Sequence, residues 1–276
     1  MPELPEVETI VRALRHGGRG GTAIVGARVQ TAQVLWPRTV AAPTPEAFVR
    51  RWAGRQIRRV TRRGKFVHLH LDRGWHALVH LRMSGDIVVV PPTAAWPRHV
   101  RLALHFTDGR ALLFDDPRKF GRWWLTREPE RVLGHLGPEP LDPAFTPQVL
   151  ARQLQGRRAR LKALLLDQRV LAGVGNIYAD EALHRAGLHP LRRAHTLTPA
   201  EIEALWRGLR AVLREGIARN GASIDWMYRG GAFQNHFRVY GRHGQVCYTC
   251  GTPIERIRVA QRSTHFCPRC QPLVPE

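Results

Sequence analysis

The amino-acid sequence predicts an α+β multidomain protein: an N-terminal antiparallel β-sandwich or barrel with a leading helix, a helical middle domain, and a C-terminal metal-pinned β-hairpin. Three observations carry this. Short runs alternate apolar and polar residues through the first half, with turn signals between them. A breaker-rich stretch, Leu136-Gly137-Pro138-Glu139-Pro140, separates them from a segment of helical periodicity. All four cysteines then fall near the C-terminus as two Cys-x-x-Cys pairs. The expected domains are 1–135, 136–236 and 237–276.

The leading helix is read from Val7, Ile10, Val11 and Leu14, which share one face at i, i+3, i+4 and i+7; Gly17-Gly18 stops it. Val67, Leu69 and Leu71 alternate with Phe66, His68 and His70, a half-buried strand. Further strand-like runs are His76–Leu81, Ile87–Val90, Val100–Phe106, Ala111–Phe114 and Arg122–Leu125. Asp72-Arg73-Gly74, Ser84-Gly85-Asp86 and Asp108-Gly109 are the turns between them. Several short strands at this spacing imply a sandwich or barrel. From Pro147 to about Ala218 the chain reads as helical. Thr198-Pro199-Ala200-Glu201 is a capping box that starts a helix whose apolar face runs from Ile202 to Ile217. A glycine-rich loop, Asn220 to Gln234, follows it.

Cys247-Tyr-Thr-Cys250 and Cys267-Pro-Arg-Cys270 are 16 residues apart, the spacing of a four-thiolate zinc site. Two short knuckles close a tetrahedron and leave no open position, so one Zn²⁺ per chain would be structural. Redox-active pairs are the other reading, but no βαβ pattern surrounds them. The module carries Arg256, Arg258, Arg262 and Arg269, either solvated or suited to a DNA groove.

Lys and Arg outnumber Asp and Glu by 43 to 22, a formal net charge of +21. Such an excess suits a polyanionic partner, because each neutralised phosphate releases counterions; a generally basic surface is the plainer alternative. No apolar run approaches the ~18 residues of a membrane span. The acidic, proline-rich start is unlike an export signal. Reduced cysteines and these absences together lead to the expectation of a cytoplasmic, nucleoid-associated protein.

Pro2 is exposed as an N-terminal secondary amine once Met1 is removed. α-Amino groups titrate near ~8, so part of the population is unprotonated at neutral pH and can attack a sugar carbon. Glu3 beside it could serve as general acid. Read alone, Pro2 is more simply a processing signal and Glu3 a helix-start carboxylate. Lys65, in Arg62-Arg63-Gly64-Lys65-Phe66, falls in a hairpin turn and is either solvated or aimed at a phosphate.

Taken together, these blocks resemble the formamidopyrimidine-DNA glycosylase family over nearly the whole chain. The resemblance rests on Pro2-Glu3-Leu4-Pro5-Glu6-Val7-Glu8-Thr9, Met83-Ser84-Gly85, Asp116-Pro117-Arg118-Lys119-Phe120-Gly121 and Leu136 to Leu141. It continues through Leu165-Leu166-Asp167-Gln168, Gly173 to Glu181, Val239 to Arg242, and Gln261 to Cys267. It implies base-excision repair of double-stranded DNA by a monomer, with removal of 8-oxoguanine and formamidopyrimidines followed by β,δ-elimination. Pro2 is then the nucleophile, Glu3 the acid, Lys65 a proton-transfer lysine near the lesion phosphate, and Arg262 a phosphate clamp linked to δ-elimination. Met83, Arg118 and Phe120 fill the space left by the extruded base; read alone, Met83 and Phe120 would be core residues. Asn176 opens the second helix of a helix–two-turn–helix, where Gly173-Val-Gly175 lets a phosphate dock. His99, Arg157 and Tyr240 fall near DNA-contacting positions. Arg82 departs from the family's usual glycine, and Asp225 from a small polar or basic residue in the loop that closes over the flipped base.

Two rivals stay open. The sibling endonuclease VIII removes oxidised pyrimidines, but usually has glycine in place of Leu4 and lacks the Met83/Arg118/Phe120 set. A non-catalytic zinc-hairpin DNA-binding protein explains the charge and cysteines but not the Pro2-Glu3 start beside Lys65.

Overall fold

Helix α1 (Leu4–His16) begins on a capping box: Glu6 Oε2 accepts the Glu3 backbone N–H at 2.7 Å, and the Glu3 side chain caps the N–H of Glu6. Gly17, at φ +85°, ends the helix. Val7, Ile10, Val11 and Leu14 are all buried, as their spacing predicts. In this computed structural model, residues 1–223 and 230–273 are described, so Asp225 lies outside the described residues. The chain forms two compact units, Met1–His135 with Asn220–Gly231 and Leu136–Arg219 with Ala232–Glu276.

The first unit is a two-sheet sandwich. One sheet has the order β1 (Val29–Val34), β7 (Val100–Phe106), β8 (Ala111–Asp115), β6 (Asp86–Val90). The other runs β2 (Val40–Ala42), β9 (Arg122–Thr126), β5 (His76–His80), β4 (Phe66–Leu71), β3 (Ile57–Arg63). All pairings are antiparallel except β2 with β9. Val67, Leu69 and Leu71 of β4 pack with Leu102, Leu104, Phe106, Leu112 and Phe114 and with the apolar face of α1 in one core.

Five short or irregular elements of the first unit, β1, β2, β3 and two short helices, were not legible as pattern. In β1 and β3 a register shift follows Val29 and Ile57. Each bulge inserts a residue, so the buried positions become Val29 and Ala32, Ile57 and Val60, three apart instead of two. Helix α2 (Pro45–Trp52) has only two turns and buries Phe48 and Trp52 between arginines. Its cap was readable, since Thr44 Oγ1 accepts the Ala47 N–H. A short helix, α3 (Glu130–Leu133), closes this part of the chain.

The second unit holds α4 (Pro147–Leu154), α5 (Leu161–Leu166), α6 (Asn176–Arg185), α7 (Pro199–Ala218) and the hairpin β10 (Glu255–Val259)–β11 (Arg262–Phe266). The Thr198–Glu201 capping box forms in both directions, at 3.3 and 2.8 Å. Helices α6 and α7 approach closely through Gly208 and Gly216. A Cβ at Gly216 would sit 2.5 Å from the buried Tyr178 ring, which stacks on Phe233. Gly216→Ala is therefore expected to cost about 1–3 kcal/mol, because the ring cannot retreat from a packed core. Urea unfolding checks this; an unchanged midpoint would mean that Tyr178 has room to move.

Beneath α6, Lys162 and Asp180 form an ion pair with both side chains fully buried. Lys162 Nζ also donates to the Asn176 carbonyl at 3.1 Å, and Asp180 Oδ2 accepts the His265 N–H from β11 at 3.0 Å. The charges are thus shared among several partners, as burial requires.

Candidate active site and nucleic-acid interface

In the first unit, the α1 capping box fixes Pro2 and Glu3, and both are buried. Glu6, also buried, divides its carboxylate: Oε2 holds the Glu3 N–H, and Oε1 accepts the Ala222 N–H at 2.8 Å. One side chain therefore ties the N-terminal residues to the start of the 220–231 segment. Sequence reasoning quoted Glu6 only as part of a motif. Its spacing from Glu3 was the available signal.

Lys65 follows Gly64, whose φ of +54° makes the β3–β4 turn, and is 5% exposed. Arg62 anchors this turn to α1: its Nε bonds Glu8 Oε2 at 3.1 Å and its Nη1 the Gly64 carbonyl at 3.1 Å. Nearby, burial pushes the His80 imidazole down to about 3, assisted by the Arg82 and Lys65 charges. His80 is consequently neutral at pH 7, and its Nδ1 accepts the Arg82 N–H at 3.0 Å. Arg82 itself adopts φ +57°, the left-handed conformation that glycine takes without strain. That is the physical content of its departure from the family pattern.

Met83, Arg118 and Phe120 sit on two neighbouring loops joined by a buried latch. Ser84 Oγ donates to Asp116 Oδ1 at 2.5 Å and accepts the Arg118 N–H at 3.2 Å; Asp116 Oδ2 accepts the Gly121 N–H at 2.7 Å. Gly121 is obligatory here, since a Cβ would lie 2.2 Å from the Phe114 ring. Neither Met83 nor Phe120 is a core residue. Met83 is half-buried, and Phe120 is 49% exposed with the Arg118 guanidinium over its ring. A single exposed phenylalanine is ordinary on a protein surface, but here it leaves the ring open to an incoming ligand. His99 is half-buried; its N–H bonds Asp115 and its carbonyl accepts the Asp116 N–H.

In the second unit, Asn176 is the first residue of α6, after the turn at Gly173 (φ +96°). Gln168 holds that turn, accepting the Gly173 N–H at 2.9 Å and donating to the Val174 carbonyl at 2.8 Å. The Asn176 amide donates to the Ser263 carbonyl on β11 at 2.9 Å. Glu181, buried, accepts the N–H groups of Arg238, Val239 and Tyr240 at 2.8–3.0 Å and so fixes the strip bearing Tyr240. Burial pushes its carboxyl up, and those three donors pull it back. Glu181, Gln168, Ser84 and Asp116 all lie in motifs of the resemblance but received no role there. Arg157 is exposed, with its Nε on the Gln153 carbonyl.

Arg262 begins β11, immediately after a two-residue turn in which Ala260 and Gln261 both have positive φ. This is the geometry that suits the twist of a tight hairpin. The four cysteine sulfurs lie within 4.8 Å of one another, with Cys247–Cys270 at 3.9 Å and Cys250–Cys267 at 3.4 Å. A tetrahedral zinc with Zn–S near ~2.3 Å needs sulfurs about 3.8 Å apart, so the set fits the ion. Backbone N–H groups of Thr249 and Cys270 point at two of the sulfurs, which favours thiolates.

Three family models match in order along the chain: the formamidopyrimidine-DNA glycosylase N-terminal domain over residues 1–123, its H2TH domain over 136–227, and a zinc finger found in FPG and IleRS over 244–273. A formamidopyrimidine-DNA glycosylase of Chloroflexus aggregans is 51% identical over 99% of this chain and 100% of its own. Among solved structures, a Lactococcus lactis FPG variant bound to Fapy-dG DNA superposes with TM-score 0.90 at 35% identity, covering 99% of this chain and 100% of that one. The wild-type Lactococcus lactis protein bound to DNA with an oxidised pyrimidine superposes equally well, with TM-score 0.90 at 34% identity and the same coverage.

Proposed function

The chain belongs to the formamidopyrimidine-DNA glycosylase family, and from that membership we propose a residue-by-residue mechanism for this base-excision repair enzyme. The observation that carries it is the buried Pro2-Glu3 pair held at the head of α1 by Glu6. With Met1 removed, the Pro2 nitrogen attacks C1′ of the damaged nucleotide. Glu3 delivers a proton to the ring oxygen or the departing base. The resulting iminium acidifies the C2′ proton, so its loss expels the 3′ phosphate, and a second elimination expels the 5′ phosphate. Lys65 assists proton transfer and Arg262 clamps the phosphates.

The wedge reading is favoured by exposure. Phe120, exposed, and Met83, half-buried, flank the Ser84–Asp116 latch, where they offset part of the few kcal/mol that base extrusion costs, while Arg118 satisfies the orphaned base. Asn176, Tyr240, His99 and Arg157 are assigned to phosphates. The zinc ion supplies structure only, by closing the thiolate set. Among the described residues no helix is long and apolar enough to cross a membrane. We place the enzyme with the nucleoid in the cytoplasm, acting as a monomer on duplex DNA. We assign residues 1–135 to chemistry, 136–236 to duplex binding with the lesion-capping loop, and 237–276 to the zinc module.

Borohydride trapping tests the reaction, because it reduces an iminium to a stable amine. A covalent adduct at Pro2 on a duplex with 8-oxoguanine opposite cytosine is the expected result. An adduct only on an oxidised-pyrimidine duplex would move this chain to the sibling specificity. No adduct on either, with binding retained, would leave a non-catalytic binding protein.

Removing the ion with a chelator should unfold β10–β11, since metal binding supplies the folding free energy of so small a module. Duplex affinity is then expected to fall by about tenfold or more and to return with Zn²⁺. Undiminished affinity of metal-free protein would show that the hairpin stands without it.

A further inference from the structure

A second group of metal-ligating side chains lies in the first unit, among residues to which no role has been given. His68 and His70 are two apart on β4 and so project from the same face of the sheet. His76 on β5 pairs directly with His70 in the antiparallel register, which puts its side chain on that face too. The three imidazoles offer ligand nitrogens that all lie within 4.8 Å of one another. His68 Nε2 and His76 Nδ1 are 2.9 Å apart, and the His68 and His70 rings stack at 3.8 Å.

We propose that His68, His70 and His76 form a second metal site, which takes one divalent transition ion of the imidazole-binding class (Zn²⁺, Ni²⁺ or Cu²⁺). A common ion about 2.0–2.1 Å from each nitrogen needs the nitrogens about 3.3 Å apart, so the His68–His76 pair must open slightly from 2.9 Å, and the other separations fall within the 4.8 Å that bounds the set. The set is all imidazole, which selects these ions over Mg²⁺ or Ca²⁺. His70 and His76 are only half-buried, so the ion and its remaining water ligands have access, while His68 is nearly enclosed and rigid. Thr61 Oγ1, 2.8 Å from His70 Nε2, is a neighbouring oxygen that orients the ring or completes the coordination.

The protonation state agrees with the geometry. Burial, with repulsion from its neighbours, pushes His68 down to about 3 and His70 to about 4, and burial also lowers His76. The lone pairs are therefore available at pH 7 without proton release. Arg59, across from His70 on β3, is the cation that faces the group and opposes a metal. It is exposed, so its guanidinium can turn to solvent.

The test uses the full chain with its zinc module loaded and Ni²⁺ as the probe. After equilibration with micromolar excess Ni²⁺ and gel filtration, elemental analysis should find one Ni²⁺ per chain, with the zinc content unchanged. His70→Ala and His76→Ala should each weaken Ni²⁺ binding at least tenfold, whereas His105→Ala, on the other sheet, should not. Should either alanine variant fail to fold, His76→Gln keeps the strand and removes one imidazole of the three, with the same loss of Ni²⁺ binding expected. Nickel gained only as zinc is lost, nickel bound equally by all variants, or no nickel retained would each overturn the proposal.

Discussion

A protein carrying an uncleaved N-terminal extension is expected to lose at least about a thousandfold in turnover on an oxidised-purine duplex while binding that duplex within about threefold of the free-amine form. A thousandfold corresponds to about 4 kcal/mol of barrier. The reason lies in the Pro2 nitrogen. Acylated by a preceding residue, its lone pair is delocalised into a planar amide and is no longer nucleophilic. Nothing else in the site is altered, because Glu6 still holds the Glu3 N–H and Arg62 still anchors the Lys65 turn. Pro2→Gly should fall between, since glycine leaves a primary amine in a more flexible backbone. Single-turnover rates with defined N-termini check both. If binding collapses together with turnover, Pro2 is structural and another nucleophile must be found.

Lys162→Met should destabilise the second unit by about 3–5 kcal/mol, because it abandons the Asp180 carboxylate in the interior. Asp180 and Lys162 are both fully buried. Chemical denaturation reads the loss directly. The double variant Lys162→Met/Asp180→Leu should recover much of it, because an apolar pair of similar volume removes both charges. A single variant as stable as the parent would show that water reaches the carboxylate and that the pair is not truly desolvated.

What the sequence revealed follows physical range. Helix α1 and strand β4 were legible because each repeats a burial rule within its own residues. Strands β1 and β3 were not, because a single inserted residue shifts the period and hides it. The candidate site divides in the same way. The cysteines are recognisable by residue type and spacing, whereas Pro2, Glu3 and Lys65, each with a plainer reading when taken alone, received roles only through the resemblance of the blocks around them. Glu6 and Glu181 act on backbone N–H groups 216 and 57–59 positions away, and nothing local in the chain announces such partners. The histidine trio needed the register of β5 on β4, which decides whether His76 meets His70 or passes it.

Asp180 and Glu181 are consecutive residues of α6, and between them they hold five backbone or side-chain groups: Lys162, the N–H of His265, and the N–H groups of 238–240. Four of those five groups are on chain that flanks or forms the cysteine module. Helix α6 is therefore tied directly to the metal module, and zinc occupancy and the stability of α6 are thermodynamically linked. Each tenfold tightening of zinc binding stabilises the module by about 1.4 kcal/mol when the ion is in excess, and α6 shares that gain to the extent that its melting releases these bonds. The metal content of a preparation accordingly bears on the thermal limit of the second unit.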